Sequence, residues 1–126
     1  MLGRFFSDYL REDEADAEIL DELAPRDDEV VIRKKTYDAF LDTPLEAELR
    51  RRGVRQVVIA GVLTHMCCET TARTAFCRGF EVYLPVDGSA SRSEALHLGS
   101  LTALSDAAAV PTSTEEVLEL CGARIL

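Results

Sequence analysis

The sequence predicts an α/β fold in three layers, with helices on both faces of a parallel sheet in a Rossmann-like arrangement. Two observations support this prediction. Short β-branched runs alternate with segments of helical apolar spacing through most of the 126 residues. Glycines and helix-capping signals stand where one kind of segment gives way to the next. Because strictly alternating strands and helices make neighbouring strands parallel, we expect a single domain over residues 1–126, with its site at the carboxyl ends of the strands.

The first part of the chain is predicted to hold a helix, a strand and a second helix. Residues 1–23 have apolar residues at helical spacing at both ends of an acidic centre. Residues 29–33 form a short β-branched run that predicts a strand. Thr43 precedes a proline and lies three residues before a glutamate, which is typical of a helix N-cap, and Gly53 ends that helix.

The second part of the chain repeats strand and helix three times. The predicted strands cover residues 56–60, 81–85 and 107–110. A helix opened by Cys67 follows the first of these strands and ends at Gly79. Ser91 and Thr112, each three residues before a glutamate, are the predicted N-caps of the last two helices, and Gly122 ends the final one.

Cys67 is the first candidate for chemistry, because a strand, a glycine and a helix start place it in the first helical turn. The unpaired N–H groups and the positive end of the helix dipole favour a thiolate there and can also hold an oxyanion. The alternative is a buried structural thiol, since free cysteine is among the most buried residue types. The other cysteines form no CxxC pair and are predicted to be reduced, buried structural thiols: Cys68, Cys77 and Cys121.

Three sequence blocks carry a family resemblance. They are VVIRKKTYDAF at residues 30–40, GVLTHMCCETTA at residues 61–72, and the stretch over residues 79–97. The second block resembles the nucleophile signature of the isochorismatase-like cysteine hydrolases, which include nicotinamidases, N-carbamoylsarcosine amidohydrolase and isochorismatase. The first resembles the K-x-x-Y-x-A-F segment of that family, and the third its next strand, Asp-bearing loop and helix.

The resemblance implies roles for particular residues. Cys67 matches the catalytic nucleophile, and Lys34 matches the catalytic lysine because Tyr37 sets the register of the block. The backbone N–H groups of Leu63 and Cys67 would form the oxyanion hole, and the Val62–Leu63 peptide bond would be cis. Without the resemblance, Lys34 would be a surface lysine at the end of a strand.

The family's third catalytic residue is an aspartate that ends its first strand. No segment before Glu29 is an apolar run ending in aspartate. The resemblance therefore implies the C-terminal two-thirds of a family domain, incomplete at the N-terminus, whose full sheet has the strand order 3-2-1-4-5-6. Asp87 is expected to structure its loop, and replacement of the missing base is the alternative role for it.

Composition limits the partners. With 23 acidic and 14 basic residues the net charge is −9, which repels nucleic acid and anionic membranes, so neither is expected to bind. The longest apolar run, residues 57–63, is too short to cross a bilayer, and the N-terminus lacks the apolar region of a signal peptide. We therefore expect a cytoplasmic protein, and unpaired strand edges predict a homo-oligomer.

No metal or other cofactor is expected. His65, His97 and Cys67 lack the short spacings of metal ligands. The nicotinamidase branch of the family holds a metal through an Asp-x-His-x-x-His segment, which this sequence does not contain.

The resemblance implies hydrolysis of a C–N, amide-type bond of a small molecule through a thioester on Cys67. Isochorismate cleavage is disfavoured, because isochorismatases have no cysteine nucleophile and this chain has one. Absence of the family's aspartate would impair the activity. The alternative is a non-catalytic remnant of the fold that serves as an oligomeric or scaffolding protein.

Overall fold

The computed structural model describes residues 19–122, which divide into two compact units between Val31 and Ile32. In the described part of the first unit, Asp21–Leu23 forms a single 3₁₀ turn. A second turn follows, in which the N–H of Glu29 donates to the carbonyl of Arg26 at 3.0 Å. Most of the helix predicted over residues 1–23 lies outside the described residues.

The prediction of a strand over residues 29–33 is wrong. These residues belong to no ladder, and the side chains of Val30 and Val31 are half exposed. A β-branched run favours extended backbone, but it becomes a strand only when a neighbour accepts and donates its main-chain hydrogen bonds. Within residues 19–122 no segment pairs with it.

The second unit contains parallel strands with helices between them, which confirms the α/β prediction. The strands are β1 (Gln56–Val58), β2 (Gly61–Val62), β3 (Glu81–Pro85), β4 (Ser89–Ala90) and β5 (Val110–Thr112). Strands β1, β3 and β5 lie side by side in that order, and β2 pairs with β4 in a second, two-stranded ladder. All of these pairings are parallel. The carboxyl ends of β1 and β3 therefore lie at the same edge of the sheet.

The helices are α1 (Leu45–Arg51), α2 (Glu69–Cys77), α3 (Glu94–Ala107) and α4 (Thr114–Leu120). Between residues 19 and 122, no helix has the length and apolar character that a membrane span requires. The glycine stops at Gly53, Gly79 and Gly122 lie just beyond α1, α2 and α4 as predicted.

Four predicted boundaries need correction. The last strand is Val110–Thr112, not residues 107–110, because α3 continues through Ala107. Ser93 caps α3 in place of the predicted Ser91, and Ser113 caps α4 in place of Thr112. In each case a second hydroxyl lies within two residues of the predicted one. The predicted cap of α1 differs by one position, since Pro44 precedes its first residue, although Thr43 Oγ1 still accepts the Leu45 N–H at 3.3 Å.

The core lies between β3 and the helices α2 and α3. Val82 and Leu84 of β3 are buried against two fully buried alanines of α2, Ala72 and Ala75. Leu104 of α3 completes this cluster and is 1% exposed. Burial of a leucine side chain of this kind stabilises the fold by roughly 1.5–3 kcal/mol. Helices α2 and α3 are thus held against the sheet.

Candidate active site

Cys67 lies in the short connection between β2 and α2. Gly61 has φ of 113°, a conformation that side chains with a Cβ rarely adopt, and its N–H donates to the carbonyl of Gly88 at 2.9 Å. The Val62–Leu63 peptide bond is cis. Thr64–Cys68 then winds as one π-helical turn, which we call the cysteine turn, before α2 begins. Apolar periodicity predicted a helix start here but could not reveal its wider winding.

The carbonyl of Leu63 receives two hydrogen bonds from the cysteine turn. The N–H groups of Met66 and Cys68 donate to it at 3.1 and 3.3 Å. Of the two residues predicted to supply the oxyanion hole, Leu63 therefore lies directly before the cysteine turn and Cys67 lies within it. Their use as donors remains a prediction.

Helix α3 and the loop before it hold the cysteine turn from outside. Thr64 is fully buried, and its Oγ1 is 2.9 Å from Nδ1 of His97 on α3. His65 Nδ1 is 3.0 Å from Oγ of Ser91, the residue that was predicted to cap α3. Both histidines are therefore bonded to hydroxyl groups. Among residues 19–122, no group of three or more His, Cys, Asp or Glu side chains is placed to hold a metal ion.

Ser100 adds a second link from α3. It is 5% exposed, and its Oγ donates to Oε2 of Glu69 at 2.7 Å and lies 3.3 Å from the carbonyl oxygen of Thr64. Glu69 also pairs with Arg73 one turn further along α2, at 2.9 Å. The charged carboxylate is thus satisfied on both sides, and the start of α2 is tied to α3.

The structure brings the two predicted catalytic side chains together. Lys34 Nζ donates to Sγ of Cys67 at 3.4 Å and to the carbonyl of Thr36 at 2.7 Å. An ammonium group in contact with the sulfur is an arrangement typical of nucleophilic cysteines. Lys34 is exposed and Cys67 is half-buried, so the pair is open to a small molecule.

Lys34 belongs to a stretch, residues 34–40, that we call the lysine segment. Thr71 Oγ1 on α2 accepts the N–H of Ala39 at 3.1 Å and donates to the carbonyl of Tyr37 at 3.2 Å. Thr74 Oγ1 donates to Oδ2 of Asp38 at 3.0 Å. Sequence reasoning assigned no role to these threonines. The available signal was a pair of hydroxyls at helical i, i+3 spacing, four and seven residues after Cys67.

Phe40 anchors the end of the lysine segment. Its side chain is 6% exposed, and its ring centroid is 5.9 Å from that of Phe80. Its N–H donates to Oδ1 of Asp38 at 2.8 Å. The carboxylate of Asp38 is therefore engaged within the segment and with α2.

Asp87 structures its loop, as expected. Its Oδ1 accepts the N–H of Thr114 at 2.7 Å and the hydroxyl of the same residue at 3.0 Å. The backbone bond is the main cause of the lowered pKa of Asp87, and the hydroxyl bond adds to it. These bonds join the loop after β3 to the start of α4.

The remaining cysteines differ in their exposure. Cys68 is 4% exposed, and burial is the main cause of its raised pKa, followed by the charge of the neighbouring Cys67. It is a buried thiol as expected. Cys77 and Cys121 are exposed free thiols, so the prediction that they are buried is wrong. Cys77 is the last residue of α2, and Cys121 directly follows the last residue of α4.

Fold and site together describe an α/β protein with parallel strands, in which a thiol and an ammonium group meet beside the strand ends. The family model described as "Isochorismatase domain" matches residues 2–116. The chain therefore belongs to the isochorismatase-like hydrolase family.

Individual relatives agree with this assignment. Nicotinamidase 3 of Arabidopsis thaliana is 41% identical over 105 residues, which cover 80% of this chain and 52% of the relative. Ureidoacrylate amidohydrolase RutB of Klebsiella pneumoniae is 41% identical over 61 residues, 48% of this chain and 26% of the relative. The chain thus spans about half the length of the first relative and about a quarter of the length of the second.

A solved structure shows the same fold. The cysteine hydrolase from Pseudomonas syringae pv. phaseolicola 1448A superimposes with a TM-score of 0.81 at 29% sequence identity. The match covers 86% of this chain and 56% of that one.

Proposed function

We propose that the protein hydrolyses a C–N, amide-type bond of a small molecule with Cys67 as nucleophile and Lys34 as its charge partner. The observation that carries the proposal is the 3.4 Å contact between Lys34 Nζ and Cys67 Sγ, made by side chains 33 residues apart in sequence. Two of the relatives are named as amide hydrolases, a nicotinamidase and a ureidoacrylate amidohydrolase. Nicotinamide and ureidoacrylate are therefore the first substrates to test.

In the proposed reaction the thiolate of Cys67 adds to the amide carbonyl, and the new oxyanion is held by the N–H groups of Leu63 and Cys67. The C–N bond breaks, and the nitrogen takes a proton as it leaves as an amine. Water then adds to the thioester and the C–S bond breaks, which releases the carboxylic acid, restores the thiolate and returns the proton that the amine took up. No electron is transferred, so the reaction needs no redox cofactor.

The proton carrier of this reaction is not assigned to Asp38 or Asp87. Asp38 accepts hydrogen bonds from Phe40 and Thr74, and Asp87 accepts them from Thr114. The family resemblance implies an aspartate on a strand that residues 19–122 do not contain. Without such a group the acyl transfer would be slow, since general acid–base catalysis contributes about 10²–10⁴-fold.

The test measures ammonia released from nicotinamide and ureidoacrylate by the whole protein, by Cys67→Ala and by Cys77→Ala. Cys77 is the matched control because it is an exposed thiol on the same stretch of helix. We expect turnover by the protein and by Cys77→Ala, and none by Cys67→Ala.

Alkylation by iodoacetamide tests the nucleophile without a substrate. We expect Cys67 to react faster than Cys77 at neutral pH, because the ammonium group of Lys34 contacts its sulfur. If Cys67 reacted no faster than Cys77 and neither amide were cleaved, the proposal would fail and the non-catalytic alternative would replace it.

We further propose that the protein acts in the cytoplasm as a homo-oligomer. Strand β1 is an edge strand within the described residues, which leaves main-chain groups open to pairing. Light scattering coupled to size-exclusion chromatography tests the oligomer, and a mass equal to the 13.9 kDa of one chain would exclude it.

A further inference from the structure

Lys34 presents a positioning problem. Its side chain is exposed, and a long lysine side chain loses rotamer entropy when it is held in one place. Its backbone is not part of a strand, so no ladder fixes it relative to the sheet. The contact with Cys67 therefore depends on whatever holds the lysine segment.

The hydroxyl of Thr71 holds that segment at two adjacent peptide groups. It accepts from the N–H of Ala39 and donates to the carbonyl of Tyr37, so it binds the main chain on both sides of Asp38. Thr71 is 9% exposed, which shields these bonds from water. Thr74, one turn further along α2, binds the Asp38 side chain between them.

Thr71 and Cys67 share one continuous helical stretch, because the cysteine turn runs directly into α2. They are one helical turn apart, at i and i+4. The element that carries the nucleophile therefore also carries the group that holds the lysine segment. A shift of α2 would move thiol and segment together and preserve their contact.

We propose that Thr71 is a positioning residue that acts through Lys34, holding the lysine segment so that the ammonium group stays against Cys67. The inference rests on the proposed function for the meaning of the Lys34–Cys67 pair. Thr74 assists from the outer side of the segment, through Asp38.

A set of variants tests the inference in a parent protein that carries Cys77→Ser and Cys121→Ser, so that the exposed thiols do not react. The readout is the rate of Cys67 alkylation by iodoacetamide as a function of pH, followed by mass spectrometry. Lys34→Ala should lower the rate near neutral pH by about three- to tenfold, because it removes the ammonium group that contacts the sulfur. Thr71→Val, which keeps the side-chain shape and removes the hydroxyl, should lower it to a similar extent.

Three comparisons separate positioning from general structural support. Thr71→Ser retains the hydroxyl and should restore the parent profile. Thr70→Val is the matched control, since Thr70 is the adjacent threonine of α2 and its hydroxyl makes no hydrogen bond to residues 34–40 in the described structure. In the Lys34→Ala background, Thr71→Val should have no further effect, because the two changes remove the same interaction.

The outcomes distinguish the inference from the proposed function. A normal profile for Thr71→Val beside a lowered one for Lys34→Ala would overturn the inference and leave the hydrolase proposal intact. An equal loss from Thr71→Val with and without Lys34 would also overturn it, because Thr71 would then support the cysteine turn itself. An unchanged profile for Lys34→Ala would remove the lysine from the proposed function and this inference with it. If Thr71→Val does not fold, Thr74→Val takes its place, with a smaller loss expected.

Discussion

The cysteine turn and the lysine segment meet at one contact but are held in different ways. The cysteine turn continues a strand at one end and a helix at the other, and α3 binds it through buried Thr64. The lysine segment is joined to α2 by hydrogen bonds between residues 32 to 36 apart and by one buried phenylalanine. The difference shows that the cysteine turn is placed by the strand and helix on either side of it as well as by contacts with α3. The lysine segment, which belongs to no strand or helix, is placed by its tertiary contacts.

The largest expected effect comes from Phe40→Ala. Removal of this buried ring should cost about 3–5 kcal/mol of unfolding free energy, because it leaves a cavity against Phe80. Urea unfolding measures the loss. Leu41→Ala, at a neighbouring side chain that is 50% exposed, is the control and should change stability by no more than about 0.5 kcal/mol.

Phe40→Ala also tests whether the cysteine turn and the lysine segment are held independently of each other. The lysine segment should loosen while the cysteine turn persists, so Cys67 should keep its half-buried position and lose only the part of its reactivity that depends on Lys34. A Cys67 that became as reactive as in the unfolded chain would show that the two regions are not separable.

Thr64→Val tests what holds the cysteine turn. The Thr64 hydroxyl is fully buried and lies 2.9 Å from His97 Nδ1, so its loss should cost about 1–3 kcal/mol. Because the change acts on the cysteine turn itself, Cys67 alkylation should change even in a Lys34→Ala background. Thr64→Ser should restore both properties.

The control for Thr64→Val is Thr102→Val. Thr102 carries an exposed hydroxyl on α3 that donates to the carbonyl of Leu98 at 2.8 Å. Its replacement should change stability by no more than about 0.5 kcal/mol. Equal losses of stability in the two variants would mean that the buried hydrogen bond to His97 stabilises the protein no more than an exposed one does.

A smaller expected effect is the dependence of stability and labelling on the burial of Cys68, which also lies in the cysteine turn. Its pKa is raised chiefly by burial, so its thiol form is favoured in the folded state. The stability that it contributes is therefore present below the ordinary thiol pKa of about 8.5, and is lost as the pH rises through the raised value. In the folded parent, iodoacetamide should label Cys67 well before Cys68, and the two should react alike once urea unfolds the chain. Labelling of Cys68 first would contradict this.

Asp87→Asn should have the smallest effect, because Asp87 lies outside both regions. Its pKa is lowered mainly by the N–H of Thr114, so its contribution is present above the ordinary aspartate pKa of about 3.9 and is lost as the pH falls through the folded value. The variant should have a slightly lower Tm at neutral pH, and the difference should vanish in strong acid. Cys67 alkylation should be unchanged. A fall in amide turnover with an unchanged Tm would instead support Asp87 as the base.

Local signals predicted most of the secondary structure of the second unit. The strand at residues 81–85 agrees with β3 at both ends. Gly79, with φ of 82°, ends the helix before it, because a residue without a Cβ adopts this conformation readily. The cap of α3 was predicted two residues too early: Ser93 caps the helix, and the hydroxyl of Ser91 lies 3.0 Å from His65 Nδ1.

The sequence by itself determined the parallel α/β fold and the place of Cys67 at a helix start, because these follow from periodicity and glycine position. Its motifs also carried the resemblance to the family. Only the tertiary structure showed that residues 29–33 form no strand, since strand formation depends on a partner elsewhere in the chain. It also placed the hydroxyl of Thr71 against the lysine segment and Lys34 against Cys67. Those contacts join residues more than thirty positions apart, and no local pattern encodes how such distant groups meet.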